Sequence, residues 1–159
     1  MKRRNIDFHS ADEIIQAINS LRTSGYKMAG KWNLTQICQH LMATMDGGMD
    51  GFGFRAPWIL RATVIKWGFR YALNKRKLGS GFPTFKVLRP THIDSADDDE
   101  VIDACIKSFQ RAATFDGSLE DYALLNHLSV EDWQDFMWIH AAHHLSFLIP
   151  KDASVGDTP

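Results

Sequence analysis

The sequence predicts an all-α protein, a helical bundle with one long crossover. Five segments carry apolar residues at helical spacing, and most of them begin at a recognisable capping residue. The 159 residues contain no convincing hairpin signal, no repeat of fixed period and no low-complexity tract. This length suits one helical domain, which we expect at residues 1–150, followed by a flexible tail at residues 151–159.

The first two helices have clear start signals. Ser10, followed three residues later by Glu13, forms a capping box before helix one, which we expect to end at Gly25. Asn33 and Gln36 give a similar signal for helix two. The apolar period of helix two then continues into a cluster of glycines: Gly47, Gly48, Gly51 and Gly53.

The third helix leads into a less regular part of the sequence. Pro57 suits the first turn of a helix that we expect to continue to about Leu73, before a basic run. Residues 78–96 have glycines, prolines and no steady apolar period, so they predict a long connection. Within it we expect a brief extended piece at Phe85–Leu88.

Two more helices complete the predicted bundle. Ser95 and Asp98 open the fourth helix, with acidic residues at its positive end, and Gly117 closes it. The fifth helix begins after Ser129, and its apolar positions extend to Pro150.

Composition and charge exclude several classes of protein. The chain has 18 Lys and Arg against 19 Asp and Glu, whereas nucleic-acid binders usually carry a basic excess, so we expect no nucleic-acid partner. The most apolar stretch, between Ala56 and Leu73, is interrupted by three basic residues, so we expect neither a membrane span nor a membrane partner. Early acidic residues argue against an export signal, and two cysteines without CxxC spacing suggest free buried thiols. A cytoplasmic location follows as an expectation.

Two histidines of the fifth helix are spaced to share one ligand. On a helical wheel of about 100° per residue, His140 lies in the middle of the buried stripe and His144 within about 60° of it. Four residues correspond to about 6 Å along the helix axis, so both imidazoles can converge on one metal ion, as in zinc-binding HExxH helices. Core histidines bonded to the backbone are an equally good interpretation, although burying two imidazoles without partners is unfavourable.

A third ligand has to come from another helix, since catalytic zinc sites use three protein ligands and structural sites use four. His40 is the best donor. It lies on helix two beside Thr44 and about 100° from Leu41, the centre of the apolar stripe. This position predicts a border that faces a cleft, but a solvated histidine fits it as well.

Three segments together resemble the DinB-like superfamily of helical metalloproteins, in a subgroup of unassigned function. They are KWNLTQICQHL at residues 31–41, HLSVEDW at residues 127–133 and HAAHHL at residues 140–145. The resemblance implies an up-down-down-up four-helix bundle, here with a long crossover and an additional helix. It also implies that a histidine of the second helix and an HxxxH pair of a later helix bind a divalent metal. On this chain those metal ligands are His40, His140 and His144.

The chemistry of such a site is less defined. The superfamily includes S-transferases and an isomerase that depend on mycothiol or bacillithiol. The resemblance therefore implies, as one hypothesis, a metal-dependent transferase or hydrolase acting on a small-molecule substrate, with zinc or nickel favoured as the metal and a low-molecular-weight thiol as a second cofactor. The alternative is a non-enzymatic helical bundle that binds a ligand or dimerises, with a vestigial or structural metal site. We also expect a homodimer.

Other side chains rank lower as ligands. His143 is spaced to chelate with His140 but lies nearer the edge of the buried stripe, and His127 precedes the fifth helix in a loop, where histidines are usually solvated. Cys38 is about 160° from His40 on the wheel and should point into the core. Histidines outside these segments have still less support: His9 and His92.

Charged residues provide no acid–base pair at the expected site. Asp46 and Asp50 point away from His40 on helix two, and Asp132 and Asp135 lie on the wrong flank of helix five, so the general base is unidentified.

A basic cluster, Lys75, Arg76 and Lys77, follows the third helix. It could meet an anionic thiol cofactor or a membrane surface. A solvated helix C-terminus is the favoured interpretation.

Overall fold

The computed structural model describes residues 2–79, 85–91, 94, 96–119, 122–125 and 127–151. Its helices are α1 Ala11–Ser24, α2 Leu34–Asp50, α3 Trp58–Ala62, α4 Val64–Lys75, α5 Asp99–Ala113 and α6 Val130–Leu145, with a 3₁₀ turn at Lys86–Leu88. Two short strands, β1 Tyr26–Met28 and β2 Leu148–Pro150, pair in antiparallel register. The predicted all-α fold is therefore confirmed. Within the described part of the chain, none of the helices is both long and apolar enough to cross a membrane.

The long helices begin where the capping residues predict. The Ser10 hydroxyl accepts a hydrogen bond from the backbone N–H of Glu13, and Asn33 and Gln36 form a reciprocal capping box. Asp98 caps α5, whereas the other expected cap, Ser95, lies outside the described residues. These caps satisfy N–H groups that have no partner within the helix. They fix where each helix begins, and the apolar face of the helix then packs in the core.

Helices α2 and α5 run in the same direction, as contacts near both ends show. At their starts, the backbone N–H and hydroxyl of Thr35 in α2 both donate at 3.1 Å to Asp97, two residues before α5. At their last turns, Arg111 donates to the Asp50 carboxylate at 2.7 Å. A parallel pair of consecutive bundle helices requires the chain to return along the length of the bundle between them.

Helix α6 runs antiparallel to α2. Gly48, near the end of α2, lies against the indole of Trp133 at the start of α6, and His40 contacts His140 near the opposite ends of the two helices. This antiparallel crossing places the start of α2 beside the end of α6, which is where the histidines lie.

Helix α1 completes the bundle. Arg22 in its last turn donates to Asp103 near the start of α5 at 2.7 Å, so α1 and α5 are antiparallel. The strands that follow α1 and α6 pair with each other, so these two helices end on the same side. The four directions are up, down, down and up, the topology implied by the resemblance.

The predicted third helix is wrong in one respect, because it is broken at Thr63. The backbone of Thr63 has φ −120° and ψ −99°, and its hydroxyl donates to the carbonyl of Ile59 at 2.6 Å. A threonine hydroxyl that binds the preceding turn competes with helical bonding and bends the chain. The crossover therefore contains two helices, α3 and α4, and α4 packs on α6 with Phe69 stacked against Phe136 at 4.5 Å between ring centroids.

The conformation of one predicted segment and the ends of two predicted helices are also wrong. The expected extended piece at Phe85–Leu88 is instead a 3₁₀ turn, Lys86–Leu88, capped by Phe85, since the N–H of Leu88 bonds to the carbonyl of Phe85. Helix α5 ends at Ala113 rather than Gly117. At this end of the helix, the Gln134 side chain donates to the carbonyl of Ala112.

The last helix ends at Leu145 rather than Pro150, because the following residues form β2 on β1. Of the expected tail at residues 151–159, Lys151 is bonded through its N–H to the carbonyl of Gly25, and residues 152–159 lie outside the described part of the chain.

Glycine at position 48 permits the close approach of α2 and α6. A Cβ added there would come within 2.7 Å of the Trp133 ring, which is fully buried and cannot move aside. Overpacking of this kind costs about 1–3 kcal/mol, which exceeds the gain of about 0.5–1 kcal/mol from replacing a helical glycine by alanine. We therefore expect Gly48→Ala to lower the free energy of unfolding by about 1 kcal/mol, measured by urea denaturation.

The matched control is Gly68→Ala in the middle of α4, where nothing lies within 4 Å of an added Cβ. This variant should gain about 0.5–1 kcal/mol. An equal gain in the free energy of unfolding in both variants would show that the packing of α2 on α6 does not require glycine at position 48.

Candidate metal centre

Three imidazoles from two helices meet at one point. Nε2 of His140 lies 3.1 Å from Nε2 of His40 and 3.0 Å from Nε2 of His144. One nitrogen of each ring can be chosen so that all three lie within 4.8 Å of one another. The structure thus brings together the three histidines expected from the sequence.

His40 is held in a defined orientation by the crossover. Its Nδ1 lies 2.7 Å from the carbonyl of Leu88, to which it donates, so its Nε2 carries a lone pair towards the other imidazoles. Only 4% of the residue is exposed, so the interpretation of His40 as a solvated histidine is wrong. A backbone carbonyl that orients a histidine through its second nitrogen is the usual arrangement around protein-bound metals.

His140 has no comparable support. Its Nδ1 is buried and has no hydrogen-bond partner within the described part of the chain. A neutral imidazole has one N–H. If that proton is on Nδ1, a donor is buried without an acceptor; if it is on Nε2, it reaches only one of the two neighbouring nitrogens. Because the N–H of His40 already binds Leu88, the cluster has more lone pairs than protons, and a cation would satisfy it.

Burial keeps these histidines uncharged. Desolvation lowers the pKa of His40, although its bond to Leu88 acts in the opposite direction. Desolvation holds the pKa of His140 and of His144 well below the usual range, and the neighbouring imidazoles lower both further. All three are therefore neutral at pH 7, which is the form that binds metals.

Trp32 closes one side of the cluster. Its ring stacks on His144 at 5.5 Å between centroids and is tilted against His40 at 5.2 Å. It immediately precedes Asn33, the cap of α2, so the same turn that starts the helix places the indole over the site. Sequence reasoning did not assign Trp32 a role, since a single aromatic before a cap has no periodicity to show which way it faces.

A cavity of about 670 Å³ reaches the three histidines. Its walls are mainly aliphatic and aromatic side chains from the crossover, from the segment between α5 and α6, and from α6: Val64, Ile65, Phe69, Phe85, Leu88, Leu124, Leu125 and Phe136. Among the described residues that line it, no carboxylate is present, and Lys77 is the only lysine or arginine. The cavity therefore suits a ligand with a substantial apolar part.

The lower-ranked histidines lie outside the cluster. Nδ1 of His143 contacts the carbonyl of Leu78 and the guanidinium of Arg3, both at 3.2 Å. His143 lines the cavity but is not one of the three converging ligands. His127 has φ 54° and lines a separate groove of about 420 Å³. His9 lies 3.4 Å from the Asp7 carboxylate, and His92 is not among the described residues.

The four aspartates considered from the sequence lie away from the histidine cavity, with Asp132 on the separate groove of about 420 Å³. Asp46 accepts from Ser108 and Asp50 from Arg111, both towards α5. Asp135 pairs with Arg76. None of these carboxylates lines the cavity, so a general base of this kind is absent from its described wall.

The remaining residues singled out from the sequence are also placed. Cys38 lies in the core beside Cys105, and both are free thiols. Of the basic cluster, Arg76 is bound to Asp7 at 2.9 Å and to the carbonyl of Phe8. Only Lys77 of that cluster lines the cavity.

Comparison with known proteins identifies a family. The family model described as "Protein of unknown function (DUF1569)" matches residues 1–151. No curated protein and no solved structure matches the chain significantly.

The unpartnered Nδ1 of His140 predicts that this residue reduces stability in metal-free protein. Replacing His140 by Leu removes a buried polar group that lacks a partner, and such a group costs about 1–3 kcal/mol. With a chelator present, His140→Leu should raise the free energy of unfolding by about 1 kcal/mol, because the substitution also removes the contacts with the neighbouring imidazoles.

His143→Leu is the matched control on the same helix, since Nδ1 of His143 has a carbonyl partner and its loss gives no such gain. A destabilised His140→Leu variant would mean that imidazole contacts, rather than unsatisfied lone pairs, dominate the cluster.

Proposed function

The chain belongs to the DUF1569 family, within the DinB-like superfamily, and from that premise we propose that it is a metal-dependent enzyme whose His40, His140 and His144 hold one divalent ion. The observation that carries the proposal is the convergence of three neutral imidazoles on the wall of a large apolar cavity. The buried Nδ1 of His140, which has no partner among the described residues, is unfavourable for folding alone, so a ligand accounts for the cluster better than core packing does.

The donor set favours particular metals. Three imidazoles without a carboxylate or thiolate suit zinc, nickel and related transition metals and do not suit magnesium or calcium, which prefer oxygen ligands. Zinc and nickel are the metals we favour. A site with three protein ligands leaves coordination positions for water or substrate, as catalytic zinc sites do.

The apolar surroundings of the three histidines suit metal-assisted chemistry. A divalent ion held there would lower the pKa of a bound thiol or water and polarise an electrophile. The apolar walls lower the polarity around the ion and so strengthen electrostatic interactions at the reacting centre. The bond from His40 to Leu88 and the stacking of Trp32 on His144 fix the ligand rings before any substrate enters.

We propose a transferase or hydrolase that acts on a small molecule with an apolar body. A low-molecular-weight thiol is the nucleophile in the first case and water in the second. Lys77 is exposed and lines the cavity, so it is available to bind an anionic group of such a thiol. Arg76 is already paired with Asp7 and is not available for this role.

We also propose that the protein works in the cytoplasm. Cys38 and Cys105 lie together in the core as thiols, and their contact together with burial raises the pKa of Cys105 well above its usual value. Two buried thiols in place of a disulfide fit a reducing compartment.

Removal of one ligand tests the metal site. Protein purified without a nickel column and loaded with Zn²⁺ should bind about one ion per chain, measured by mass spectrometry of the metal content. His140→Ala should weaken binding by more than about 100-fold, since even changes outside the ligand set cost about 10–100-fold.

The matched control for metal binding is His143→Ala, three residues along α6, which should bind zinc as the wild type does. Helical circular dichroism should persist in both variants, because the apolar core of the bundle is unchanged. Equal zinc binding by the wild type and His140→Ala would exclude the proposed site.

A thiol transferase is tested with an apolar aryl halide as the acceptor. In the transfer, the thiolate sulfur forms a bond to the ring carbon as halide leaves. With glutathione, bacillithiol or mycothiol, the zinc-loaded protein should form the thioether more than about tenfold faster than His140→Ala, followed by absorbance of the product.

A nitrophenyl ester without thiol tests the hydrolase in the same way. Equal rates for the two proteins in both assays, with zinc binding intact, would favour the non-enzymatic bundle with a structural or vestigial site.

A further inference from the structure

Most of the crossover between α2 and α5, from residue 51 to residue 93, carries an unusual charge. Residues 51–93 contain nine lysines and arginines and no aspartate or glutamate, whereas the rest of the chain has nine basic and 19 acidic residues. The near-neutral composition therefore hides a basic segment on an otherwise acidic protein. Segregation of this kind produces a local positive potential that the net charge does not reveal.

The same segment holds most of the exposed apolar surface. Of the nine large hydrophobic side chains exposed within the described part of the chain, only Met28 lies outside it. The most exposed are Trp58 and Trp67, at 70% and 76%. Single exposed apolar residues are ordinary, but a contiguous group of them marks an interaction surface.

Helix α4 orders these groups into faces. Phe69 and Ala72 are buried against the bundle, while Val64, Trp67 and Tyr71 share the opposite, exposed side. On the wheel, Lys66 and Arg70 flank this exposed apolar stripe on one side and Lys75 flanks it on the other, and all three are exposed. We call the exposed side of α3 and α4 the crossover face.

An aromatic stripe bordered by cations is typical of helices that lie in a membrane interface. We propose that the crossover face docks the protein on an anionic membrane surface, with Trp67 entering the interface and Lys66 and Arg70 binding lipid phosphates. The expectation of no membrane partner rested on the lack of a spanning segment, and peripheral binding does not need one.

Charge complementarity selects this occupant over a second copy of the chain. Two crossover faces brought together would oppose their basic residues, and like charges across an interface are unfavourable. Anionic headgroups instead neutralise each basic residue near the surface, while the interface accepts the indole and aliphatic groups.

The cavity opens at the same surface. Val64, Trp67, Tyr71 and Phe85 are all exposed and also line the cavity. Docking through this face would bring the cavity mouth to the membrane surface. The docking itself requires only the crossover face and is independent of the metal.

Vesicle co-sedimentation tests the proposal with the full chain. Wild-type protein should bind vesicles of phosphatidylcholine containing about one third phosphatidylglycerol, should bind pure phosphatidylcholine weakly, and should be released by high salt. The double variant K66E/R70E should bind the anionic vesicles at least tenfold less tightly, and Trp67→Ala should lose binding even at low salt.

A double variant elsewhere on the surface provides the matched control. Lys27 and Lys107 are exposed and lie outside the crossover, so K27E/K107E makes the same change in net charge and should bind as the wild type does. His140→Ala should also bind as the wild type does, which separates docking from the metal site.

Equal losses of vesicle binding in K66E/R70E and K27E/K107E would show that only net charge matters and would overturn the proposal. Absence of wild-type binding to anionic vesicles would also overturn it. A wild-type dimer in analytical ultracentrifugation that Trp67→Ala converts to a monomer, without vesicle binding, would assign the face to a second copy of this chain instead.

Discussion

The antiparallel packing of α2 against α6 is the contact on which the site depends. At one end of this pair, the absence of a side chain at Gly48 lets the indole of Trp133 lie directly on α2. At the other end, the same approach brings His40 to within 3.1 Å of His140. Because helices are stiff over this length, a change in their separation at the glycine end is transmitted to the imidazoles.

The crossover is the second requirement of the architecture. Since α2 and α5 are parallel, the chain has to return between them, and that return path supplies one wall of the cavity. It also supplies the carbonyl of Leu88 that orients His40 and the aromatic ring of Phe69 that packs behind Phe136. A bundle with short antiparallel connections would have no such segment, and His40 would lack its bond to Leu88 and the cavity its crossover wall.

We expect the histidine cluster and the core to have opposite effects on stability. The apolar residues of α1, α2, α5 and α6 form a core in which large side chains such as Trp133 and Phe109 are fully buried. Beside this core, the buried Nδ1 of His140 has no hydrogen-bond partner among the described residues. Functional sites commonly retain such locally unfavourable groups because the surrounding fold is stable enough to hold them.

Much of the fold could be predicted from local sequence patterns. The caps at Ser10 and Asn33 and the apolar periods after them depend only on residues within one or two turns, so the starts of these helices followed directly. The break at Thr63 and the strand after Leu145 did not, because a threonine hydroxyl has a helical alternative and a three-residue strand exists only through its distant partner, β1.

The candidate site divides in the same way between sequence and tertiary structure. The four-residue spacing of His140 and His144 on one helix face was determined by the sequence, since helix geometry alone sets it. That His40 joins them was implied by resemblance and left open by the helical wheel, which gives a direction but no distance to another helix. Its bond to Leu88 and the stacking of Trp32 were decided by tertiary structure alone, because each joins residues that no local periodicity relates.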